Sequence, residues 1–166
     1  MLTIRNADSE DVPAVFAMLR ASAEEQGSLD HLCADEASLR EDGFGSERRF
    51  QAAIAEVDGK AAGLALYFFV YSTWTSRNGV YLEDLFVWPQ FRRKGVARAL
   101  MQNLAQVAVE NGYGRMIWLV LRANPAVRFY ESVGANGLAQ WMPMQVAGEK
   151  LRELATAPGE KASLSG

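Results

Sequence analysis

Thiol and imidazole side chains are nearly absent from this chain. Its 166 residues include one cysteine, Cys33, and one histidine, His31. A lone cysteine excludes an internal disulfide framework and suits a reducing cytoplasm. One histidine and one cysteine do not build a zinc site, so no metal is expected. The pair also lacks a third group to orient it, which argues against a covalent cysteine route. No apolar run reaches the length of a membrane span. The opening MLTIRNADSEDV has neither the basic nor the apolar region of a secretory signal. The expectation is a cytoplasmic protein that does not contact a membrane. Two phosphate signatures are missing as well: there is no G-x-x-x-x-G-K-[ST], and no G-x-G-x-x-G after a strand.

What is present is ordinary for one globular domain, with 49% apolar and 22% charged residues. The net charge of −3 is unevenly spread. Residues 1–42 hold ten acids against three arginines, whereas 90–98 hold four bases and no acid. The basic island is too small for a nucleic-acid groove but suits one polyanionic cofactor. The acidic region suits a cationic substrate.

The stretch 81–100, YLEDLFVWPQFRRKGVARAL, joins these two features. It opens as an apolar strand carrying Glu83 and Asp84, breaks at Trp88-Pro89, and passes through Arg92-Arg93-Lys94-Gly95-Val96-Ala97 into an amphipathic segment. A basic, glycine-containing turn at a helix N-terminus offers unpaired N–H groups and partial positive charge to an anion. Acids one strand-length before such a site suggest group transfer from a phosphorylated carrier.

Periodicity and turn residues place the other elements. A strand is expected at 2–5. A helix capped by Asp8 follows, with Val12, Val15, Phe16 and Leu19 on its buried face. A second helix is expected at 34–42, and strands at 50–57, 62–71 and 80–88, with Asp58-Gly59 as a hairpin turn. A helix from Gly95 to Asn111-Gly112 buries Val96, Leu100, Leu104, Val107 and Ala108. A strand at 116–121, a short helix at 124–134 and a last strand at 138–146 complete the domain. The order is β-α-α-β-β-β-α-β-α-β, a mixed central sheet with helices on both faces, and the 80–88 to 116–121 connection is a parallel crossover. Residues 1–146 read as one domain. Residues 147–166 read as a tail, partly disordered, especially at 158–166.

The hexapeptide at 92–97 resembles the Arg/Gln-x-x-Gly-x-Gly/Ala turn of the Gcn5-related N-acetyltransferase (GNAT) superfamily, with Ala97 in the last place. That resemblance implies acetyl-CoA as co-substrate. Its pyrophosphate would lie on Arg92, Arg93, Lys94, Gly95, Val96, Ala97 and Arg98, with further contacts from Leu85, Phe86, Val87 and Asn124. It also implies splayed strands that admit the cofactor. The pieces EDGFG at 41–45, YLEDLFV at 81–87, and Phe129-Tyr130 before Gly134-Ala135 are similar to the diamine (spermidine/spermine) and thialysine acetyltransferase branch. Asn124 and Tyr130 are one residue closer than that branch spaces them, and Ala123 replaces its usual aromatic.

An amine attacking a thioester must lose a proton, since an alkylammonium has a pKa of about 10.4. A carboxylate can hold the cation and take that proton. On strict alternation Glu83, Leu85 and Val87 face one way, and Leu82, Asp84 and Phe86 the other; the resemblance favours Glu83 for the cleft. A break at Trp88-Pro89 and a bulge near 85–87 would free N–H groups for the carbonyl oxygen. The resemblance makes Tyr130 the acid that protonates the leaving sulfur. It places Trp141 at the substrate cleft and Glu24 and Glu25 on the substrate side of the first helix, and it implies a homodimer. The expected activity is acetyl transfer to a small cationic amine in a ternary complex. The alternatives are a peptide or aminoglycoside acetyltransferase and a non-catalytic acyl-CoA sensor.

Overall fold

The computed structural model describes residues 1–156, whose backbone falls into two compact units, Met1–Asn124 and a second beginning at Pro125. The expected disorder at 158–166 lies outside the described residues.

The first unit is built on a five-stranded sheet in the order β1 (Leu2–Asn6), β2 (Gln51–Val57), β3 (Lys60–Ser72), β4 (Arg77–Val87) and β5 (Met116–Ile117). The first four strands are antiparallel in sequence, and β5 joins β4 in parallel. Asp58 and Gly59 both adopt positive φ, 51° and 76°, which turns β2 tightly into β3. The next hairpin is longer than the sequence suggests. Its strands run to Ser72 and from Arg77, so only four residues form the tip.

Asp8 caps a 3-10 turn at Ser9–Asp11 that leads into helix α1 (Val12–Glu25). Its carboxylate accepts from the Glu10 N–H at 2.9 Å, while Asp11 accepts from the Asp8 N–H and from Arg5. Helix α2 (Glu36–Phe44) starts two residues later than expected because Asp35, accepting from the Ser38 N–H at 2.7 Å, is its cap. Val12, Val15, Met18 and Leu19 of α1 and Leu39 of α2 pack on Ala52, Ile54, Leu64, Leu66 and Phe86 of the sheet. Each large aliphatic side chain so buried contributes about 1.5–3 kcal/mol. Phe16 packs at the margin of this core, and Met18 takes the central place expected for it. Helix α3 (Val96–Glu110) buries Val96, Leu100, Met101, Leu104 and Ala108; Val107 is only half-buried.

Two strands differ from expectation. Pairing of β5 ends at Ile117, and Leu119 and Leu121 are exposed, although 116–121 is a continuous apolar run. An apolar run signals burial without guaranteeing a ladder partner. Residues 138–146 form no strand, so the sheet has five strands rather than six. Pro143 removes a ladder donor in the middle of that segment, and Met142 and Met144 are exposed. In the second unit, helix α4 (Val127–Ser132) is shorter than the expected 124–134. Helix α5 (Gly148–Thr156) forms where no element was expected.

Candidate active site

The chemistry-bearing strand is β4, and its ladder has two interruptions. With β5 it pairs only at Val80–Met116 and Tyr81–Ile117. No strand among the described residues pairs with that edge of β4 from Leu82 to Val87, as the splayed-strand expectation requires. On its other side β4 pairs with β3, but the register shifts between Leu66 and Tyr67. Tyr67 faces Leu82 and Leu66 faces Asp84, which leaves Glu83 as the extra residue of a β-bulge. The bulge therefore falls at Glu83 and not at 85–87.

This shift corrects the reading of the two acids. Neighbouring residues Leu66 and Tyr67 point to opposite faces, so their partners Asp84 and Leu82 do too, and simple alternation fails here. Asp84 is the acid that enters a cavity. That cavity, about 390 Å³ and open to solvent, lies among α1, α2, the loop between them and the sheet, and its polar lining includes Ser22, Gln26, His31, Asp42 and Asp84. Burial, and after it the charge of Glu83, pushes the Asp84 carboxyl up to about 6. Glu83 itself is exposed. Its charge also helps burial to raise the Tyr81 phenol. Alternation puts the two acids on opposite faces and the resemblance favours Glu83; a bulge is hard to see in a sequence without a glycine at the site.

The EDGFG segment supplies part of the cavity wall. Asp42 pairs with Arg49 at 3.1 Å while lining the cavity. A Cβ on Gly43 would lie 2.6 Å from the Phe50 ring, so only glycine lets that lining ring pack against α2. His31 lines the cavity, whereas Cys33 is exposed and outside the lining. Glu24 and Glu25 do not line it. Glu24 pairs with Arg20 on its own helix at 3.2 Å, and Glu25 reaches the basic turn.

After β4, Pro89–Phe91 forms a 3-10 turn and the chain enters α3 through Arg92–Gly95. Arg93 and Gly95 adopt left-handed φ of 61° and 83°. Such a conformation strains an arginine by about 1–3 kcal/mol, and it suits glycine at the helix start. Gly95 gives α3 no side-chain cap, so the first N–H groups of a 15-residue helix are left for another acceptor. Arg93, Lys94 and Arg98 are exposed around them. Arg92 is held otherwise. Its Nε donates to the Val87 carbonyl at 2.8 Å and its Nη2 to both Glu25 oxygens at 2.6 and 2.7 Å. Phe86, Val87 and Val96 are buried, so they have only backbone to offer a ligand; Leu85 and Ala97 are half-buried. The uncapped N-terminus, left-handed turn and unpaired β4 edge fit a diphosphate with an extended tail.

Asn124 ends the first unit, with its N–H donating to the Leu121 carbonyl at 2.8 Å. In the second unit Tyr130 lies on α4, half-buried beside Phe129, and burial holds its phenol above the usual value. Trp141 is exposed on irregular backbone. Among the described residues no group of three or more His, Cys, Asp or Glu side chains is arranged to hold a metal ion, and no helix is long and apolar enough to cross a membrane.

The sequence and fold match known proteins. Residues 14–135 match the acetyltransferase (GNAT) family. The chain is 36% identical over 164 residues to a thialysine N-epsilon-acetyltransferase of Mus musculus, covering 92% of this chain and 96% of that one. It is 31% identical over 163 residues to a spermidine/spermine N(1)-acetyltransferase-like protein of Homo sapiens, covering 92% of this chain and 23% of the longer human protein. Among solved structures, an integron cassette protein of V. cholerae superposes with a TM-score of 0.77 at 25% identity, covering 94% of this chain and 98% of that one. The chain thus belongs to the GNAT family and is an acetyl-CoA-dependent N-acetyltransferase.

Proposed function

We propose that this enzyme acetylates a primary amine of a small cationic substrate, a polyamine, diamine or thialysine-like molecule, by direct attack in a ternary complex. The observation that carries the choice is Asp84, a partly buried carboxylate in an open cavity with the charge of Glu83 close by. Burial and a like charge both disfavour the carboxylate form there, and a bound ammonium offsets both. The names of the relatives point to the same class of acceptor. A cytoplasmic location is part of this reading and suits the one free cysteine.

Acetyl-CoA supplies the acetyl group as an activated thioester. Arg92, Arg93, Lys94, Arg98 and the α3 N-terminus hold its diphosphate, with the tail along the open edge of β4. The backbone N–H groups of Leu85 and Val87 polarise the carbonyl oxygen. Glu83 and Asp84 bind the ammonium, and Glu83, the more accessible of the two, takes its proton directly or through water. Tyr130 keeps its proton at neutral pH and gives it to the departing sulfur. Trp141 is an outer contact of the substrate and Asn124 of the cofactor.

A thiol-release assay with acetyl-CoA tests the reading against thialysine, spermidine, ornithine, an aminoglycoside and an alanine-terminated peptide. The small cationic amines should release thiol at the highest kcat/KM. Preference for the aminoglycoside or peptide, or binding of acetyl-CoA without turnover of any amine, would overturn it.

A further inference from the structure

The exposed carboxylate that meets the basic turn comes from a distant part of the chain. Glu25 is the last residue of α1, and both its oxygens accept from Nη2 of Arg92, 67 positions away. The same guanidinium donates through Nε to the Val87 carbonyl and lies 5.8 Å from the Phe86 ring centroid. An acid at a helix C-terminus works against the helix dipole, so α1 alone gives no reason for Glu25 to stand there. The preceding turn of the same helix carries Ser22 and Ala23, which line the cavity, and Gln26 follows in the lining. Glu25 thus stands between the acceptor cavity and the cofactor turn, and its charge is neutralised by the turn's first base.

We propose that Glu25 is a positioning residue that couples the two substrates: an incoming diphosphate takes the Arg92 guanidinium and releases Glu25 as an added anion at the mouth of the amine cavity. This rests on the reading of the 92–98 turn as the diphosphate site. Two anions compete for one guanidinium, so Glu25 opposes coenzyme A while the amine is absent. Once displaced, it strengthens the attraction of the cavity for a cation. Both ion-pair partners are nearly half-exposed, at 42% and 45% of side-chain area, so the exchange needs no opening of the core. Linkage makes the effect reciprocal, so the amine favours coenzyme A by the same factor.

The test uses the full chain, with coenzyme A and thialysine titrated separately and together by calorimetry. Coenzyme A lacks the acetyl group, so no turnover interferes. For Glu25→Gln, coenzyme A alone should bind about two- to fivefold tighter, the range of a half-exposed ion pair. Thialysine affinity should no longer rise when coenzyme A is present, whereas it rises in the parent protein. Glu110→Gln, which removes a carboxylate that accepts from Gln106 on α3, should change neither. Unchanged or weaker coenzyme A binding by Glu25→Gln overturns the proposal, as does a loss of thialysine affinity equal with and without coenzyme A. Gly95→Glu separates this from failure of the underlying site. If that folded variant still binds coenzyme A, the turn is not the diphosphate site and the coupling falls with it. If binding is abolished while Glu25→Gln is silent, only the coupling is wrong.

Discussion

Asp84 holds its proton to about pH 6, against an ordinary aspartate value near 3.8, and burial is the larger cause. A carboxyl whose folded value is raised stabilises the fold fully below the unfolded value and loses that contribution as pH rises through the folded value. Between about pH 4 and 6 the ligand-free protein should therefore lose about 3 kcal/mol relative to Asp84→Asn, at 1.36 kcal/mol per pH unit. Urea unfolding of both proteins at pH 4 and pH 7 measures this, and parallel stabilities would contradict it. The same substitution should lower kcat/KM for the amine by about 10- to 100-fold, the range of a charge-assisted hydrogen bond. A more stable yet slower variant marks a carboxylate kept for ligand binding. For Tyr130→Phe, turnover should fall about 10²–10⁴-fold, the usual share of general acid catalysis, with the acetyl-CoA KM nearly unchanged. Full turnover would exclude Tyr130 as the acid. Glu83→Gln should shift the pH dependence of kcat/KM for the amine, with a milder loss of rate if water relays the proton.

At the scale of elements, the turn before α3 is the clearest target. Gly95 has φ 83° and nothing within 4 Å of the place of a Cβ, so conformation rather than space within the protein demands glycine. Gly95→Glu adds backbone strain and a negative charge beside the uncapped α3 N-terminus. Acetyl-CoA binding should fall below detection by calorimetry while the circular dichroism of the fold remains. Unchanged affinity would move the diphosphate site elsewhere. This element was legible in the sequence because a local hexapeptide encodes it, and so were the helices with periodic faces and the Asp58-Gly59 turn. The bulge at Glu83 was not, because it depends on how β3 and β4 register, and Leu66-Tyr67 carries no local mark of the shift. The ion pair of Arg92 was hidden for a similar reason: its partner Glu25 is 67 residues away. The apolar segments at 116–121 and 138–146 read as strands, yet ladders need partners and donors, and Pro143 withholds one.

For the whole molecule the open question is assembly, and we propose a homodimer in solution. The β3–β4 hairpin carries aromatic side chains outward: Tyr71 is 63% and Trp74 86% exposed, although Tyr67 on the same strand is buried. Past the end of β5, Leu119 and Leu121 are exposed at 67% and 76%. Contiguous exposed apolar surface marks sites of association, and these side chains are the candidates for it. A twofold partner would present the same patches in return, closing the assembly without an open chain of copies. Light scattering at micromolar protein should give twice the monomer mass. Replacing both Tyr71 and Trp74 by aspartate places unpaired charge at the hairpin tip, so the mass should fall to that of one chain while the fold, read by circular dichroism, persists. A monomer mass for the parent protein would refute the dimer. A parent dimer undisturbed by the double substitution would instead place its interface away from the hairpin, leaving the apolar residues beyond β5 as the next surface to substitute.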